Sequence, residues 1–131
     1  MDDVDIKILE LLKKNSRMKY VRIAKIVGLT EGAVRRRVKK MMEQGVLRKF
    51  TIETTPEVEG IILVKTDPAK TREVALKIRS ISDKVFEVSG DYDVAALIQA
   101  RTMEEFNEKV DNVRDLPAVL NTNTLVKLVS D

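Results

Sequence analysis

Residues 1–45 carry their apolar side chains three or four positions apart, which is the spacing of amphipathic helices. A first helix is predicted over VDIKILELLKK (4–14), with Asp2 or Asp3 as its N-cap. Its inward stripe comprises Val4, Ile8, Leu11 and Leu12. The pattern predicts a small helical domain in the first part of the chain.

Two further helices follow, with a short turn between them. The second helix is predicted over YVRIAKIV (20–27), and Gly28 stands where a helix ends in a left-handed residue. Thr30 is a good N-cap for the third helix, which begins with TEGAVRRRVKK (30–40). The inward residues of the second helix are Ile23, Ala24 and Val27. A helix, a glycine turn and another helix are typical of a helix-turn-helix.

The third helix separates into an apolar side and a basic side when its residues are placed ~100° apart. The apolar side comprises Val34, Val38, Met41 and Met42. The basic side comprises Arg35, Arg36, Lys39 and Lys40, with Gly32 and Ala33 at its N-terminal end and Arg37 at its border. The small residues would let the helix approach the floor of a DNA groove, where Arg36 could reach a guanine edge. The alternative is a solvated basic face, and the helix-turn-helix context favours DNA.

The residues after Gly45 alternate as a strand does. This strand is predicted over VLRKFTIET (46–54), with Arg48 and Lys49 near its start. It resembles the wing of a winged helix, which contacts backbone phosphates; the alternative is a strand that leads out of the domain. The segment TTPEVEG (54–60) is the predicted hinge.

The rest of the chain has strand and helix patterns in the order βαββαβ. The predicted elements are strand 60–66, helix 68–81, strand 84–90, strand 93–100, helix 103–116 and strand 118–129. This is the order of the ferredoxin-like, or split βαβ, arrangement. The predicted fold class is therefore α+β: a winged helix-turn-helix domain (1–50), a linker (51–60) and a ferredoxin-like domain (61–131).

Three of the predicted strands contain nearly continuous apolar runs, IILV, VAALI and LVKLV. A sheet with helices on one face should alternate apolar and polar residues, so continuous runs indicate that the second face is covered too. No further element is predicted that could cover it. The runs therefore predict a dimer in which the sheets of two copies pack face to face.

The composition of the chain excludes several kinds of catalytic and metal-binding site. The chain of 131 residues contains no Cys and no His, which excludes disulfides, thiolate nucleophiles, His bases and zinc sites built on these residues. Residues 1–50 carry 14 Lys and Arg against 6 Asp and Glu, and residues 51–131 carry 10 against 15. The basic half suits a polyanion and the acidic half a different partner. No apolar run reaches the ~20 residues of a membrane span, so a cytoplasmic protein is expected.

The turn between the two middle strands contains Gly90, Asp91, Tyr92 and Asp93. Glycine and aspartate favour a hairpin turn, which is the plain interpretation. Two carboxylates and a phenol could also hold an ammonium group. In the last strand, Thr122 and Thr124 are two positions apart and therefore share one face.

Two other functional classes are disfavoured. RNA-recognition modules share the βαββαβ order, but they stack bases on aromatic residues of the sheet, and IILV and VAALI contain none. An enzyme would depend on the cluster Asp91, Tyr92 and Asp93, without His, Cys or a clear set of metal ligands. Neither catalytic residues nor a metal site are predicted.

The chain resembles the leucine-responsive regulatory protein family (Lrp/AsnC, or feast/famine regulators) of prokaryotes, and an archaeal member is expected. The similarity extends over nearly the whole chain. It rests on VDIKILELLKKNSR, IAKIVGLTEGAVRRRVKKMMEQGVLRKF, SGDYDVAALIQ and LPAVLNTNTLV. The first two segments are shared with many winged helices, and the GDYD turn together with the Thr-bearing last strand is more specific.

The resemblance implies a sequence-specific DNA-binding regulator of amino-acid-related metabolism, with a regulatory RAM domain and no cofactor. With the wing residues included, the implied DNA contacts are Thr30, Glu31, Gly32, Ala33, Arg35, Arg36, Arg37, Lys39, Lys40, Arg48 and Lys49. Arg37 lies at the family's usual basic position, and its alternative role is to brace the domain.

The resemblance also implies dimers that assemble into octamers, and a free amino acid as effector between dimers. The implied effector-binding residues are Gly90, Asp91, Tyr92, Asp93, Thr122 and Thr124. The acidic half favours a basic amino acid such as lysine. The alternative function is an effector-free or nonspecific, architectural DNA-binding protein of the same fold.

Overall fold

In the computed structural model, which describes residues 1–128, the chain divides into two units, Met1–Glu53 and Thr54–Asp131. Each unit has a hydrophobic core of its own. No helix among the described residues is long and apolar enough to cross a membrane.

Three helices form the N-terminal unit: α1 (Asp3–Lys14), α2 (Tyr20–Val27) and α3 (Glu31–Glu43). The predicted helix-turn-helix is confirmed. The Thr30 hydroxyl caps α3 by accepting a hydrogen bond from the backbone N–H of Ala33 at 3.2 Å. Gly28 ends α2 with a φ of 75°, and the N–H of Leu29 donates to the carbonyl of Ala24 at 2.9 Å. These local bonds fix the turn between α2 and α3.

One apolar core joins the three helices. Its buried residues are Ile8, Leu12, Ile23, Ala24, Val34, Val38, Met41 and Leu47, and Val4, Leu11 and Val27 pack partly buried against it. The prediction that Met42 lies on the buried side is wrong, because 45% of its surface is exposed. Met42 lies ~80° from Val34 around the helix, so Met41 fills the core and Met42 turns towards solvent.

The chain after α3 is anchored at Leu47. Its N–H and that of Val46 both donate to the carbonyl of Met41, at 3.1 and 2.9 Å. Gly45 has a φ of 75°, which allows the chain to reverse at the end of α3. The Leu47 side chain is buried, so the residues that follow it leave the helical core of the unit from a fixed point.

Residues 46–57 form neither a helix nor a strand, so the predicted strand over 46–54, and with it the wing, is wrong for this chain. An extended segment needs a neighbouring strand to satisfy its backbone N–H and C=O groups, and none of the described strands pairs with it. The alternation that suggested a strand leaves Phe50 and Ile52 exposed.

The C-terminal unit contains β1 (Val58–Thr66), α4 (Thr71–Arg79), β2 (Lys84–Glu87), β3 (Val94–Ala100), α5 (Met103–Arg114) and β4 (Val119–Val126). The strands form one antiparallel sheet in the order β2-β3-β1-β4. The predicted ferredoxin-like βαββαβ order is confirmed, and β1 is a central strand.

Several element ends differ from the prediction. Pro68 opens a 3₁₀ turn, Pro68–Lys70, before α4, because the Asp67 carboxylate accepts from the N–H of Ala69 at 3.1 Å. The strand predicted over 84–90 ends at Glu87, since the chain turns and the N–H of Val88 donates to the carbonyl of Asp93 at 2.9 Å. The strand predicted to Val129 ends at Val126, and Val129 lies outside the described residues.

Both helices of this unit pack on one face of the sheet. The buried strand residues on that face include Ile62, Val64, Val94, Ala96 and Ile98. The opposite face, here called the open face, carries the apolar residues Ile61, Leu63, Phe86, Ala95, Leu97 and Leu125, with polar residues such as Lys84, Gln99 and Asn123 beside them. Phe86 is 56% exposed. The apolar runs IILV and VAALI therefore have two uses: alternate residues lie under the helices, and the others lie on the open face.

Gly60 in β1 is required by the packing of α5 on the sheet. A Cβ at this position would lie 2.6 Å from Phe106 Cζ and 2.6 Å from the carbonyl oxygen of Leu125. The Leu125 carbonyl belongs to the neighbouring strand, so it cannot move without disturbing the pairing of β1 with β4.

We expect Gly60→Ala to lower the free energy of unfolding by at least about 1–3 kcal/mol, measured by denaturant titration. Gly32→Ala is the control, because its Cβ would meet only Arg36 Nη1, at the ordinary distance of 3.5 Å. That variant should keep or slightly gain stability. Equal stability of the two variants would contradict the steric role of Gly60.

Candidate functional site

The basic side of α3 is displayed by the core behind it. Val34 and Val38 are buried, and Arg36, Lys39 and Lys40 are exposed on the other side. At the N-terminal end of the helix, Thr30 is exposed, and Glu31, Gly32 and Ala33 are half-buried. The Arg36 guanidinium lies back over Gly32. The helix therefore presents a small N-terminal end and three exposed cations, which suits a DNA groove and its phosphates.

Arg35 is directed towards α2. It forms an ion pair with Glu31, four residues earlier on the same helix, and its Cζ lies 5.2 Å from the centre of the Tyr20 ring. Such exposed pairs contribute little to stability because water and salt screen them. Their effect is to orient the side chain, and phosphate can compete with Glu31 for it.

Arg37 is held within the unit. Its Nη1 donates to both carboxylate oxygens of Asp2, at 2.8 and 2.7 Å, and to Oδ1 of Asp5 at 3.1 Å. The side chain of Arg37 is 32% exposed. These contacts join the border of α3 to the first turn of α1.

The same contacts shift the pKa values of Asp2 and Arg37. The hydrogen bond from Arg37, followed by that from the backbone N–H of Asp5, holds the pKa of Asp2 below its ordinary value of 3.8. The hydrogen bonds to Asp2 and then to Asp5 raise the pKa of Arg37. Both partners are therefore charged at neutral pH.

Arg48 and Lys49 are exposed in the irregular segment that follows the anchor at Leu47. They continue directly from the chain reversal at the end of α3. This keeps two further cations with the N-terminal unit, although they do not lie on a wing strand.

The GDYD turn lies at one end of the sheet. Gly90 has a φ of 117°, Gly90 and Asp91 are exposed, and Tyr92 is half-buried. Asp93 is part of the fold: its Oδ2 accepts from the backbone N–H of Thr66 at 2.9 Å and lies 3.8 Å from Lys65 Nζ. Its N–H also donates to the carbonyl of Val64 at 2.9 Å. Of the two carboxylates in the turn, Asp93 is therefore bound to β1, and Asp91 is exposed.

Thr122 and Thr124 share one face of β4, as predicted, and that face lies towards the helices, because they pair with the buried Val64 and Ile62. The Thr122 hydroxyl accepts a hydrogen bond from Arg114 Nε at 3.3 Å. The Thr124 hydroxyl is buried and has no hydrogen-bond partner among the described residues. A polar group in that situation is costly unless something else bonds to it.

The structure brings some of the six predicted effector residues, but not all of them, to one end of the sheet. Val64 pairs with Val94 on one side and with Thr122 on the other, so Asp93 and Thr122 lie at the same end of the sheet with β1 between them. Two strand spacings of ~4.8 Å separate their backbones. Within one chain, the turn and the threonines are therefore separated by β1. A separate groove of about 480 Å³, between residues 80–83 and α5, contains none of the six.

Sequence reasoning missed the partners of these residues. Asp2 and Asp5 are 35 and 32 positions from Arg37, and Thr66 is 27 positions from Asp93. No local pattern connects them. The pair of Glu31 and Arg35 did carry a signal, since residues four apart on a helix are neighbours.

Comparison with known proteins places both units. The model of the AsnC-type helix-turn-helix domain matches residues 1–42, and that of the Lrp/AsnC ligand binding domain matches residues 59–129. The chain is 39% identical to the HTH-type transcriptional regulator LysM of Sulfurisphaera tokodaii, with 98% of this chain and 95% of the relative covered. It is 36% identical to the HTH-type transcriptional regulator FL11 of Pyrococcus furiosus, with 98% and 89% covered.

A solved structure agrees with this. The transcriptional regulator NMB0573 of Neisseria meningitidis, crystallised as a complex with L-Met, has a TM-score of 0.82 and is 25% identical in sequence. The match covers 98% of this chain and 90% of that one. Both units and their order along the chain are therefore common to this group of proteins.

The Asp2 and Arg37 contact predicts how stability depends on pH. Because the folded-state pKa of Asp2 is lowered, the stabilisation is present above its ordinary value of 3.8 and is lost as the pH falls through the folded-state pKa. Asp2→Asn, which keeps a capping side chain, should lower the melting temperature near neutral pH. The difference from the unchanged chain should shrink as the pH falls below 3.8 and should disappear once the pH is below the lowered folded-state pKa of Asp2.

Asp3→Asn is the control, since it removes a neighbouring carboxylate that forms no ion pair with Arg37. A difference for Asp2→Asn that persists unchanged into acid would show that the Arg37 contact is not its cause.

Proposed function

The chain belongs to the Lrp/AsnC family of transcriptional regulators, and from this premise we propose that it binds specific DNA sequences through α3 under the control of a free amino acid. The family is one of DNA-binding regulators and not of enzymes, and the chain has a DNA-binding and a ligand-binding domain. As a regulator of prokaryotic genes it acts in the cytoplasm. The regulated genes serve amino-acid metabolism.

The display of α3 is the observation that carries the proposed DNA binding. Its apolar side is buried in the core, so the exposed Arg36, Lys39 and Lys40 face away from the core. Arg36 is the base-reading residue, because it lies over Gly32 at the end of the helix that can approach closest to the groove. Lys39, Lys40, Arg48 and Lys49 contact phosphates, where charge matters more than exact placement.

The proposed effector site is completed between dimers. Asp91 is the exposed carboxylate of the turn, and we assign it to the ammonium group of an amino acid, since Asp93 is bound to Thr66. The buried Thr124 hydroxyl has no hydrogen-bond partner within residues 1–128 and would gain one from a ligand or a neighbouring chain. The separation of Asp93 from Thr122 supports a site that needs a second chain. The L-Met complex of NMB0573 supports an amino acid as the class of ligand.

The open face supports a dimer through the sheets. Ile61, Leu63, Phe86 and Leu125 lie on it, and a face with this many apolar side chains is expected to be covered. Higher assembly of dimers, up to octamers, would then set the spacing of paired α3 helices on successive turns of DNA. An amino acid that binds between dimers would shift that assembly, which gives the regulation a physical route.

Base reading is tested with Arg36 and Lys39. Selection of bound duplexes from a random pool should yield a preferred sequence for the unchanged chain. Arg36→Ala should relax that preference at one position, with a cost of about 1–3 kcal/mol on the preferred sequence. Lys39→Ala should weaken binding to all sequences about equally and reduce the salt slope by about 1.

Loss of affinity from Arg36→Ala that is equal on preferred and random DNA would contradict base reading by Arg36. If the pool gives no preferred sequence at all, the nonspecific, architectural alternative is supported.

Effector binding is tested by melting temperature. Each of the twenty amino acids is added in turn, and one that binds the folded chain should raise the melting temperature by mass action, by an amount that corresponds to about 2.7 kcal/mol at a hundred times its dissociation constant. Basic amino acids such as lysine are expected to rank first. Asp91→Asn should reduce the shift. If no amino acid changes either the melting temperature or the state of assembly, the regulator is effector-free.

The sheet-to-sheet dimer is tested in the full chain by sedimentation. Phe86→Glu places a charge on the open face and should produce monomers, because a carboxylate buried between apolar sheets is strongly disfavoured. Leu76→Glu is the matched control: Leu76 is 53% exposed, close to the 56% of Phe86, but it lies on α4. Dimers that persist in the Phe86 variant, or that are lost equally in both, would refute this interface.

A further inference from the structure

Among the described residues, Arg37 is the one arginine of the TEGAVRRRVKK helix whose ion-pair partners lie outside that helix. Arg35 pairs with Glu31 within α3, whereas Arg37 donates to Asp2 and Asp5 at the start of α1. Its Nη1 lies between 2.7 and 3.1 Å from three carboxylate oxygens, which share its two N–H donors. Charge-assisted bonds of this length are among the stronger polar contacts in proteins.

The two acceptors are themselves fixed. Asp2 Oδ1 accepts from the backbone N–H of Asp5 at 2.9 Å, and Asp5 Oδ2 accepts from the backbone N–H of Asp2 at 3.3 Å. This reciprocal pair is a capping box at the N-terminus of α1. The carboxylates that bind Arg37 are therefore held by the backbone of α1. The bonds from the Arg37 guanidinium tie α3 to that backbone.

The charge of the cluster opposes a role in DNA binding. Two carboxylates surround one guanidinium, so the cluster is negative overall and would repel a phosphate. A phosphate would also have to replace bonds that Arg37 already makes. Arg36, Lys39 and Lys40 are exposed and carry no such partner in the described part of the chain.

We propose that Arg37 is a positioning residue: it sets the orientation of α3 through the capping box of α1 and does not contact DNA. The inference rests on the proposed DNA binding by α3, and it assigns to Asp2 and Asp5 a part in that binding. Apolar packing of Val34, Val38 and Met41 holds α3 against the core and sets which side of the helix is buried. The contact at the border of that side adds a directional restraint on the orientation of the helix.

The experiment uses the full chain and one duplex, the best-bound sequence from the random pool. Affinity is measured over a series of salt concentrations for three variants: Arg37→Met, the double variant Asp2→Asn with Asp5→Asn, and the combination of all three changes. Asparagine still caps a helix, so the double variant keeps α1. The control double variant is Asp3→Asn with Glu10→Gln, which removes two carboxylates of α1 that form no ion pair with Arg37. All measurements are made well below each variant's melting temperature.

The two roles of Arg37 predict opposite changes in the DNA affinity of the Asp2 and Asp5 variant: a loss if Arg37 positions α3, and a gain if it contacts phosphate. If Arg37 positions α3, Arg37→Met should lower affinity by about tenfold with the salt slope unchanged. The Asp2 and Asp5 variant should lose a similar amount although it removes negative charge, and the triple variant should be no weaker than either. The control double variant should bind as tightly as the unchanged chain or more tightly.

A phosphate contact would give the reverse. Arg37→Met would then reduce the salt slope by about 0.9. The Asp2 and Asp5 variant would bind more tightly, as the control does, and the proposal would be overturned. If the unchanged chain itself binds no DNA, the proposed function fails instead. The positioning contact is then judged from the additivity of the same variants in melting temperature, where full additivity would refute it.

Discussion

The burial of one side of α3 is the interaction on which the DNA-binding unit depends. Val34, Val38 and Met41 enter a core shared with α1 and α2, and the basic side consequently faces away from it. This packing depends on Gly28 and Thr30, because they determine where α2 ends and α3 begins. Hydrophobic packing is non-directional, so it fixes which side of α3 is buried more firmly than it fixes the tilt of the helix or its position along its axis. Polar contacts at the border of the buried stripe define the rest.

The regulatory unit depends in a similar way on β1. This strand pairs with β3 on one side and with β4 on the other, and it carries the glycine over which Phe106 packs. Its last residue, Thr66, is fully buried and is bonded to Asp93 and to the hydroxyl of Thr71 at 2.7 Å. The GDYD turn is thus attached to the strand that separates it from β4. A ligand that moved this turn would act directly on the centre of the sheet.

Several surfaces are incomplete in a single chain. The open face carries exposed apolar side chains, the irregular segment after Leu47 carries exposed Phe50 and Ile52, and the Thr124 hydroxyl lacks a partner among the described residues. Each would be satisfied by contact with another molecule, and the first two suit a second copy of the chain, since a homodimer repeats the same surface on both partners. Assembly is accordingly the property on which the proposed regulation rests.

The sequence by itself determined the order of the helices and strands and most of the buried positions of the three N-terminal helices, because caps, glycine ends and apolar periodicity depend on neighbours within a few residues. It also placed Thr122 and Thr124 on one face. The tertiary structure alone decided which distant groups meet: Arg37 with Asp2 and Asp5, and Asp93 with Thr66. It also decided against a strand over 46–54, although the pattern there is alternating, because a strand exists only when another strand accepts its hydrogen bonds. Periodicity shows which side of a segment is apolar, and only the fold determines what lies against that side.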